Sequence, residues 1–474
     1  MLRAMPNTPP PAVTPSPVPA VADGLPIPQR YWAVGTMTVA LVMAVLDGMV
    51  ANIALPTIQR EFAVEAAQAI WVVNAYQMAV TLSLFPLASL GDIFGYRRVY
   101  WGGLALFTLA SLACALSDTL PLLTVARVVQ GIGGAGIMSV NMALVRYIYP
   151  SASLGRGVGY NAMIVAVTTV AGPSLAAAIL SVASWPWLFA VNVPLGLVAL
   201  VVAAKTLPRS PKSGHRFDAL SAGLNALMLG LVILSVKGLD GADPVWLVVL
   251  EFLGALLVGV TLVRRELSRE APLFPVDLLR RPIFALSVAT SLCSFAAQNI
   301  AFVTMPFYFE DVLGRSLTES GLLMTPWPVA VAIIAPISGW LADRYEPSLL
   351  SGLGMALFAV GLAALALLAP DASAIDIAWR MGLAGFGFGL FQTPNNKVLV
   401  SSAPKERSGG ASGIQATARL LGQTLGAATV GVMFTLFGKA VGATTVLTLA
   451  AGLCAFGSVT GSLRRRLRDA GTRP

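Results

Sequence analysis

From Tyr31 onward the chain is a succession of apolar stretches, each close to twenty residues long and separated by short polar breaks. A helix of ~20 residues spans ~30 Å of hydrocarbon. Within lipid a backbone must satisfy its own hydrogen bonds, which leaves helices or closed barrels. Fourteen stretches are expected to be spans: 31–55, 70–90, 99–117, 121–145, 158–182, 187–205, 219–237, 244–263, 283–309, 319–341, 349–369, 376–396, 408–435 and 441–463. The longest break, 264–282, is too short for a separate domain. Composition closes the soluble alternative. Only 11% of the 474 residues are charged and mean hydropathy is +0.78, whereas a soluble chain carries about 25% charge. The expected fold class is an all-α polytopic membrane protein with 14 transmembrane helices.

Positive charge orients the spans, because Lys and Arg accumulate in cytoplasmic loops. With the N-terminus inside, 24 of the 31 Lys and Arg fall in inner segments and 5 in outer ones. Arg127 and Arg419 lie within spans. One span more or fewer would scramble this alternation. The net charge of +9 is therefore assigned to topology and anionic lipid and not to a nucleic acid. The chain is expected to be a multi-pass plasma-membrane (bacterial inner-membrane) monomer with both termini cytoplasmic.

Scarcity also removes chemistry. The single histidine, His215, lies in a basic loop (KTLPRSPKSGHRF) and is expected to be solvated. Cys114, Cys293 and Cys454 stand far apart in apolar runs. That set offers no metal centre and no Ser-His-Asp system, so neither an enzyme nor a cofactor is expected. Residues 1–30 hold nine prolines and no apolar core, the pattern of a disordered tail. They lack the apolar h-region of a signal peptide.

An internal repeat organises the rest. LGDIFGYRR (90–98) resembles GWLADRYEP (339–347), with Asp92 and Asp343 at an offset of 251. RVVQGIGGAG from Arg127 resembles RMGLAGFGFG from Arg380 at 253, and Thr168-x-x-x-Gly172 aligns with Gly422-x-x-x-Gly426 at 254. Three weak similarities at nearly one offset imply two parallel halves, a secondary-transporter plan with its site between them. The expected domains are the tail 1–30, an N-terminal six-helix bundle 31–206, an inserted helix pair with linker 207–281, a C-terminal six-helix bundle 282–463 and a basic tail 464–474.

These residues carry a resemblance to the major facilitator superfamily, in particular its fourteen-span drug:proton antiporter branch. LDGMVANIALP (46–56) is similar to that branch's LDxTVVNVALP, and ASLGDIFGYRR (88–98) to GxLxDRxGRR. Arg127, Gln130 and Gly131 match R-x-x-Q-G; GPSLAA and SWPWLFAVNVPLG (184–196) match the span-5 signatures; PKERSGGASGIQATARLLGQTLG (404–426) fits the penultimate span. Departures are Ala88, Ile93 and Tyr96 in the loop signature, Thr168, Ala176 and Ala177 in the antiporter motif, and Pro186 for an arginine. The resemblance implies a major facilitator fold of two pseudo-symmetric six-helix halves plus two inserted helices. It also implies export of amphipathic, cationic drugs or toxic compounds by alternating access, driven by the proton motive force. Two alternatives stay open: a dedicated exporter of one metabolite or lipid on the same fold, and a non-transporting receptor or scaffold. The partners are a small-molecule substrate, protons and the bilayer.

Asp47 is the sharpest site candidate. It lies nine positions from Pro56, ~13 Å deep at ~1.5 Å per residue, where an ionisable group is costly unless paired or hydrated. Arg127 lies ~9 Å deep from the same side, so the two could pair. A switching proton site and a fixed structural pair both fit; the resemblance implies proton coupling. Gly131, Gly133 and Gly136 spell GxGxxG, but inside an apolar span small residues serve close helix packing and not a dinucleotide. Asn52, Trp71, Tyr76, Gln77, Gln130, Asn141, Gln298, Asn299, Gln392, Asn395 and Arg419 are candidates for the cavity wall, with interfacial anchoring the alternative for Trp71. Asp92, Gly95, Arg97, Arg98, Asp343 and Arg344 are candidates for a breakable cytoplasmic gate. Gly172 and Pro173 are candidates for a bend, and Glu251 for a structural role. No GxxxxGK[ST] loop exists, so ATP is not expected as the energy source. One proton crossing 100 mV supplies about 2.3 kcal/mol, roughly fifty-fold in concentration.

Overall fold

The computed structural model describes residues 23–210, 212, 217–238, 244–267 and 276–471. His215 and most of the N-terminal tail lie outside the described residues. The first half contains α1 (Gln29–Glu61), α2 (Trp71–Phe94), α3 (Tyr96–Ala115), α4 (Leu120–Ile148), α5 (Leu154–Val182) and α6 (Asn192–Thr206). Then come α7 (Ala219–Gly238) and α8 (Val245–Leu267). The second half contains α9 (Pro282–Phe307), α10 (Pro326–Arg344), α11 (Pro347–Ala366), α12 (Ala374–Ser402) and a run over Ser408–Gly471. Gly438, at φ 70° and ψ 172°, breaks that run into α13 (408–437) and α14 (439–471). No L side chain adopts such a backbone cheaply.

Each expected span falls on one of these helices. Among the described residues eleven segments are long and apolar enough to cross a bilayer, and a twelfth is α5, bent by 46° between Gly172 and Ser174. A proline within a helix removes a hydrogen bond and crowds the preceding turn, which accounts for a bend at Pro173. The remaining two, α7 and α13, are compatible with a count of fourteen. The tail expected over 1–30 is shorter than that among the described residues. Leu25 already donates to the Ile148 carbonyl (3.0 Å), and α1 begins at Gln29. At the other end the helical backbone continues through the basic segment to Gly471.

Glycines set the close packing within each half. A Cβ on Gly131 would meet the Tyr76 carbonyl at 2.6 Å, and one on Gly136 would meet Gly103 Cα at 2.8 Å, so α4 lies directly against α2 and α3. In the second half Gly385 and Gly387 press equally closely on Trp327 and Phe358. The GxGxxG run is therefore packing surface. The second half fills its core with aromatic rings meeting edge to face, among them Trp327–Phe358 at 5.5 Å and Phe295–Phe388 at 5.7 Å. α7 and α8 pair with each other, and α7 rests on α2 and on the Ser408–Gly471 run. Glu251 on α8 keeps Oε2 buried without a hydrogen-bond partner among the described residues.

Candidate functional site

Two sites stand side by side. The first is a dry polar cluster inside the N-terminal half. The Asp47 side chain is 1% exposed and that of Arg127 0%, and Arg127 Nη1 donates to Asp47 Oδ2. Gln130 Nε2 (2.9 Å) and Asn192 Nδ2 (3.2 Å) donate to the other carboxylate oxygen. Arg127 also donates from Nε to the Val72 carbonyl (2.9 Å) and from Nη1 to Gln130 Oε1 (2.6 Å). Gln130 in turn donates to Ser111 Oγ at 2.9 Å. Helices α1, α2, α3, α4 and α6 thus all contribute. Burying two charges is repaid only by this density of hydrogen bonds. One group remains over: Arg127 Nη2 is buried with no acceptor among the described residues.

The second site is a central cavity of about 410 Å³. Its wall includes Tyr76, Gln77, Asn141, Gln298, Asn299, Gln392 and Arg419, seven of the eleven residues expected there. Four do not reach it. Asn52 is exposed and turns back to the Gly48 carbonyl at 3.5 Å. Trp71 sits at the start of α2 with 47% of its surface exposed. Gln130 belongs to the ion-pair cluster, since three residues along a helix return to the face of Arg127. Asn395 is fully buried and donates to Ser287 O (3.2 Å) and Ser291 Oγ (2.8 Å). Asp47 and Arg127 do not line the cavity either.

Tyr76 joins the two sites. It lines the cavity, the centre of its ring lies 4.3 Å from the Arg127 guanidinium carbon, and its hydroxyl donates to the Ala44 carbonyl at 2.9 Å. Asn161, Gln415 and Gln423 also line the cavity and were not anticipated. The spacing Gln415, Arg419, Gln423 places three polar side chains on one helix face, a readable signal. No carboxylate lines the cavity among the described residues. The expected preference for cationic compounds therefore has no counter-charge in this wall.

The halves are latched at the end where α2 stops and α5 begins. Asp343, at the end of α10, accepts from the backbone N–H of Gly155 (2.7 Å) and Arg156 (3.1 Å) at the start of α5. Asp92, near the end of α2, accepts from Gly409 (3.0 Å) and Gly410 (3.1 Å) at the start of α13. Each carboxylate satisfies helix-start N–H groups of the opposite half, where the dipole favours an anion. The gate expectation is corrected in its cations. Arg97 binds the Ala204 carbonyl within its own half. Arg98 is exposed. Arg344 stacks on Trp340 at 4.1 Å. The arginines that cross are Arg146, donating to Ala403 O (2.8 Å) and Ser408 Oγ (2.9 Å), and Arg156, in a salt bridge to Asp343 at 3.7 Å. Lys397 adds a salt bridge to Asp343 at 2.7 Å. Tyr96, a departure from the loop signature, donates to Asp92 (2.6 Å) and accepts from Gly409 N–H (3.0 Å). Gly95 turns the chain between α2 and α3 at φ 97°. Gly172 has only loose neighbours, Leu46 and Met49 at 3.7 Å from a notional Cβ.

Comparison with known proteins follows the same outline. The sequence profile of the Major Facilitator Superfamily matches residues 37–427. The uncharacterized transporter YebQ of Escherichia coli (strain K12) is 54% identical over 88% of this chain and 92% of its own length. The tetracenomycin C resistance and export protein of Streptomyces glaucescens is 34% identical over 84% of this chain and 74% of its own. Among solved structures, that of the human organic anion transporter MFSD10 (TETRAN) superposes with a TM-score of 0.68 at 14% identity, covering 92% of this chain and 100% of the other. At that identity the likeness is one of fold alone.

Proposed function

The chain belongs to the Major Facilitator Superfamily, and from that premise we propose that it is a proton-coupled antiporter exporting amphipathic small molecules by alternating access. It is a multi-pass membrane transporter; the plasma membrane as its seat, the cytoplasmic placement of both termini and of the latched end, and the proton as driving ion are parts of the proposal. Relatives that include a named export protein support the direction of transport. The basic residues gathered at the latched end support the orientation. Under this orientation the structure is the state closed to the cytoplasm.

The observation that carries the reading is the dry Asp47–Arg127 pair, set one aromatic ring away from the cavity. A proton on Asp47 removes the counter-charge of Arg127 and takes up one of the acceptor positions that Arg127, Gln130 and Asn192 share on its two oxygens. The guanidinium must then find new acceptors in a low-dielectric site, and α1, α4 and α6 repack around it. Tyr76 lies over Arg127 and forms part of the cavity wall, so that repacking changes the surface offered to substrate. Linkage makes the effect reciprocal: substrate against Tyr76 alters the proton affinity of Asp47. No cofactor and no covalent step is required.

Everted vesicles with an imposed pH gradient, run with and without a membrane potential, test this. Asp47→Asn is expected to insert normally and to lose gradient-driven transport at least ~ten-fold while downhill exchange of substrate survives. Gradient-driven transport at the unsubstituted rate by that variant would remove Asp47 from the coupling mechanism.

A further inference from the structure

We propose that the cavity selects amphipathic molecules carrying an anionic group, and that Arg419 is the residue that holds it. The inference rests on the cavity being the transport site of the exporter proposed above, and it reverses the charge preference expected from the sequence.

Arg419 lines the cavity from α13, half-buried, with no ion pair or hydrogen bond to any described residue. It is the only charged side chain among the described residues of the wall. The carboxylate that might have neutralised it, Asp47, lies outside the wall and is bound on both oxygens by Arg127, Gln130 and Asn192. A guanidinium presents up to five N–H donors and no acceptor, in a fork that matches a carboxylate, sulfonate or phenolate. The cavity hydrates it while open. As the halves close and water leaves, its charge requires a partner, and the substrate is the partner that arrives.

A second observation points the same way. Trp327, in the same wall, holds its indole N–H buried with no acceptor among the described residues. An indole nitrogen can only donate. Two donors among the wall residues of the C-terminal half thus lack a built-in acceptor: Arg419, and Trp327, whose nitrogen is itself covered. Around them stand rings suited to a planar body, with Phe302 and Trp327 edge to face at 5.2 Å and Phe388 6.3 Å from Trp327. Amides such as Gln415 and Gln423, one turn on either side of Arg419, supply adaptable polar contacts. A volume of about 410 Å³ suits one drug-sized molecule. The ligand class is a planar or polycyclic organic anion.

Fluorescein and rhodamine 6G share a xanthene core and differ in sign of charge, and fluorescence anisotropy on the full chain in nanodiscs reads their Kd without any proton gradient. Fluorescein is expected to bind at least about ten-fold more tightly than rhodamine 6G. Arg419→Gln should cost fluorescein about ten-fold or more and leave rhodamine 6G unchanged or improved. Arg419→Lys, which keeps the charge, should recover part of the loss and guards against a folding defect. Preference for rhodamine 6G, absence of fluorescein binding, or an unchanged fluorescein Kd in Arg419→Gln would each overturn the proposal. The same measurement on Asp47→Asn separates the two readings. Anion selectivity retained in a variant whose transport proves uncoupled, or fully coupled, leaves this inference standing, whatever becomes of the coupling site.

Discussion

The two halves share a scaffold and place their charge in opposite ways. The N-terminal half closes its ion pair off in the dry, behind Tyr76. The C-terminal half leaves Arg419 open to the cavity and keeps the repeat-equivalent of Arg127, Arg380, in a local and partly exposed pair. Arg380 sits near the start of α12, on Asp376 one turn earlier at 3.0 Å and on the Ala364 carbonyl. Counting 251 positions on from Asp47 gives Gln298, which lines the cavity. One half therefore holds a charge whose partner is built in, and the other a charge whose partner must come from outside.

The sharpest way to break this contrast is to remove one partner from each pair. Asp47→Ala leaves a buried guanidinium uncompensated and should cost about 3–5 kcal/mol of stability. Asp376→Ala, at a pair that is 16% and 31% exposed, should cost no more than about 1 kcal/mol. Thermal unfolding in detergent compares the two, and equal losses would mean that the halves are not differentiated in this way.

A gentler comparison concerns the latch, where the halves are nearly equivalent. A side chain on Gly155 would collide with the Gly339 carbonyl and Asp343; one on Gly409 would collide with Asp92 and, at 2.8 Å, the Ala88 carbonyl. Gly155→Val and Gly409→Val should each favour the state open at the basic end, by about ten-fold or more at the ~1–3 kcal/mol typical of overpacking. Spin-label distances across that end would report it. A shift from one variant and none from the other would show that the latch is one-sided.

The smallest effect belongs to the N-terminal strap. Asp23 accepts from Ser151 N–H and Oγ, both at 2.9 Å, and the backbone N–H, more than the hydroxyl, holds its pKa below the ordinary carboxylate range. A depressed folded-state value means that the contact is intact above that range and is lost as pH falls through the folded value. Asp23→Ala should raise protease cleavage before Gln29 at neutral pH to the level of the unsubstituted chain in acid, with little change in transport.

Much of this was legible in the chain, for physical reasons that also mark where legibility ends. Span length and charge alternation are one-dimensional properties, so hydropathy locates helices and loops. Depth along a helix is equally one-dimensional, which is why Asp47 and Arg127 could be matched. Rotation about the helix axis is not fixed by a span that is apolar all round. Asn52 and Trp71 were therefore assigned to a cavity they do not face, and Tyr76 could not be foreseen as the ring between pair and cavity. The latch was half visible: the loop signature drew attention to Asp92 and Asp343 but also to Arg97, Arg98 and Arg344, which bind elsewhere. Its other half, the paired segments beginning at Pro150 and Pro404 with glycine five residues on, lies at an offset of 254. Backbone N–H groups leave no trace in a search for side-chain chemistry.

The reciprocity of those two caps has a mechanical consequence. Asp92 reaches from the first half to the second and Asp343 from the second to the first, so a rocking motion about the axis between the halves lengthens both together. Two modest contacts stretched in parallel resist as a single catch: they share the load while both hold, and when one goes the other carries all of it. Such a device gives opening a threshold. The transporter would wait at one end of its cycle and then release abruptly.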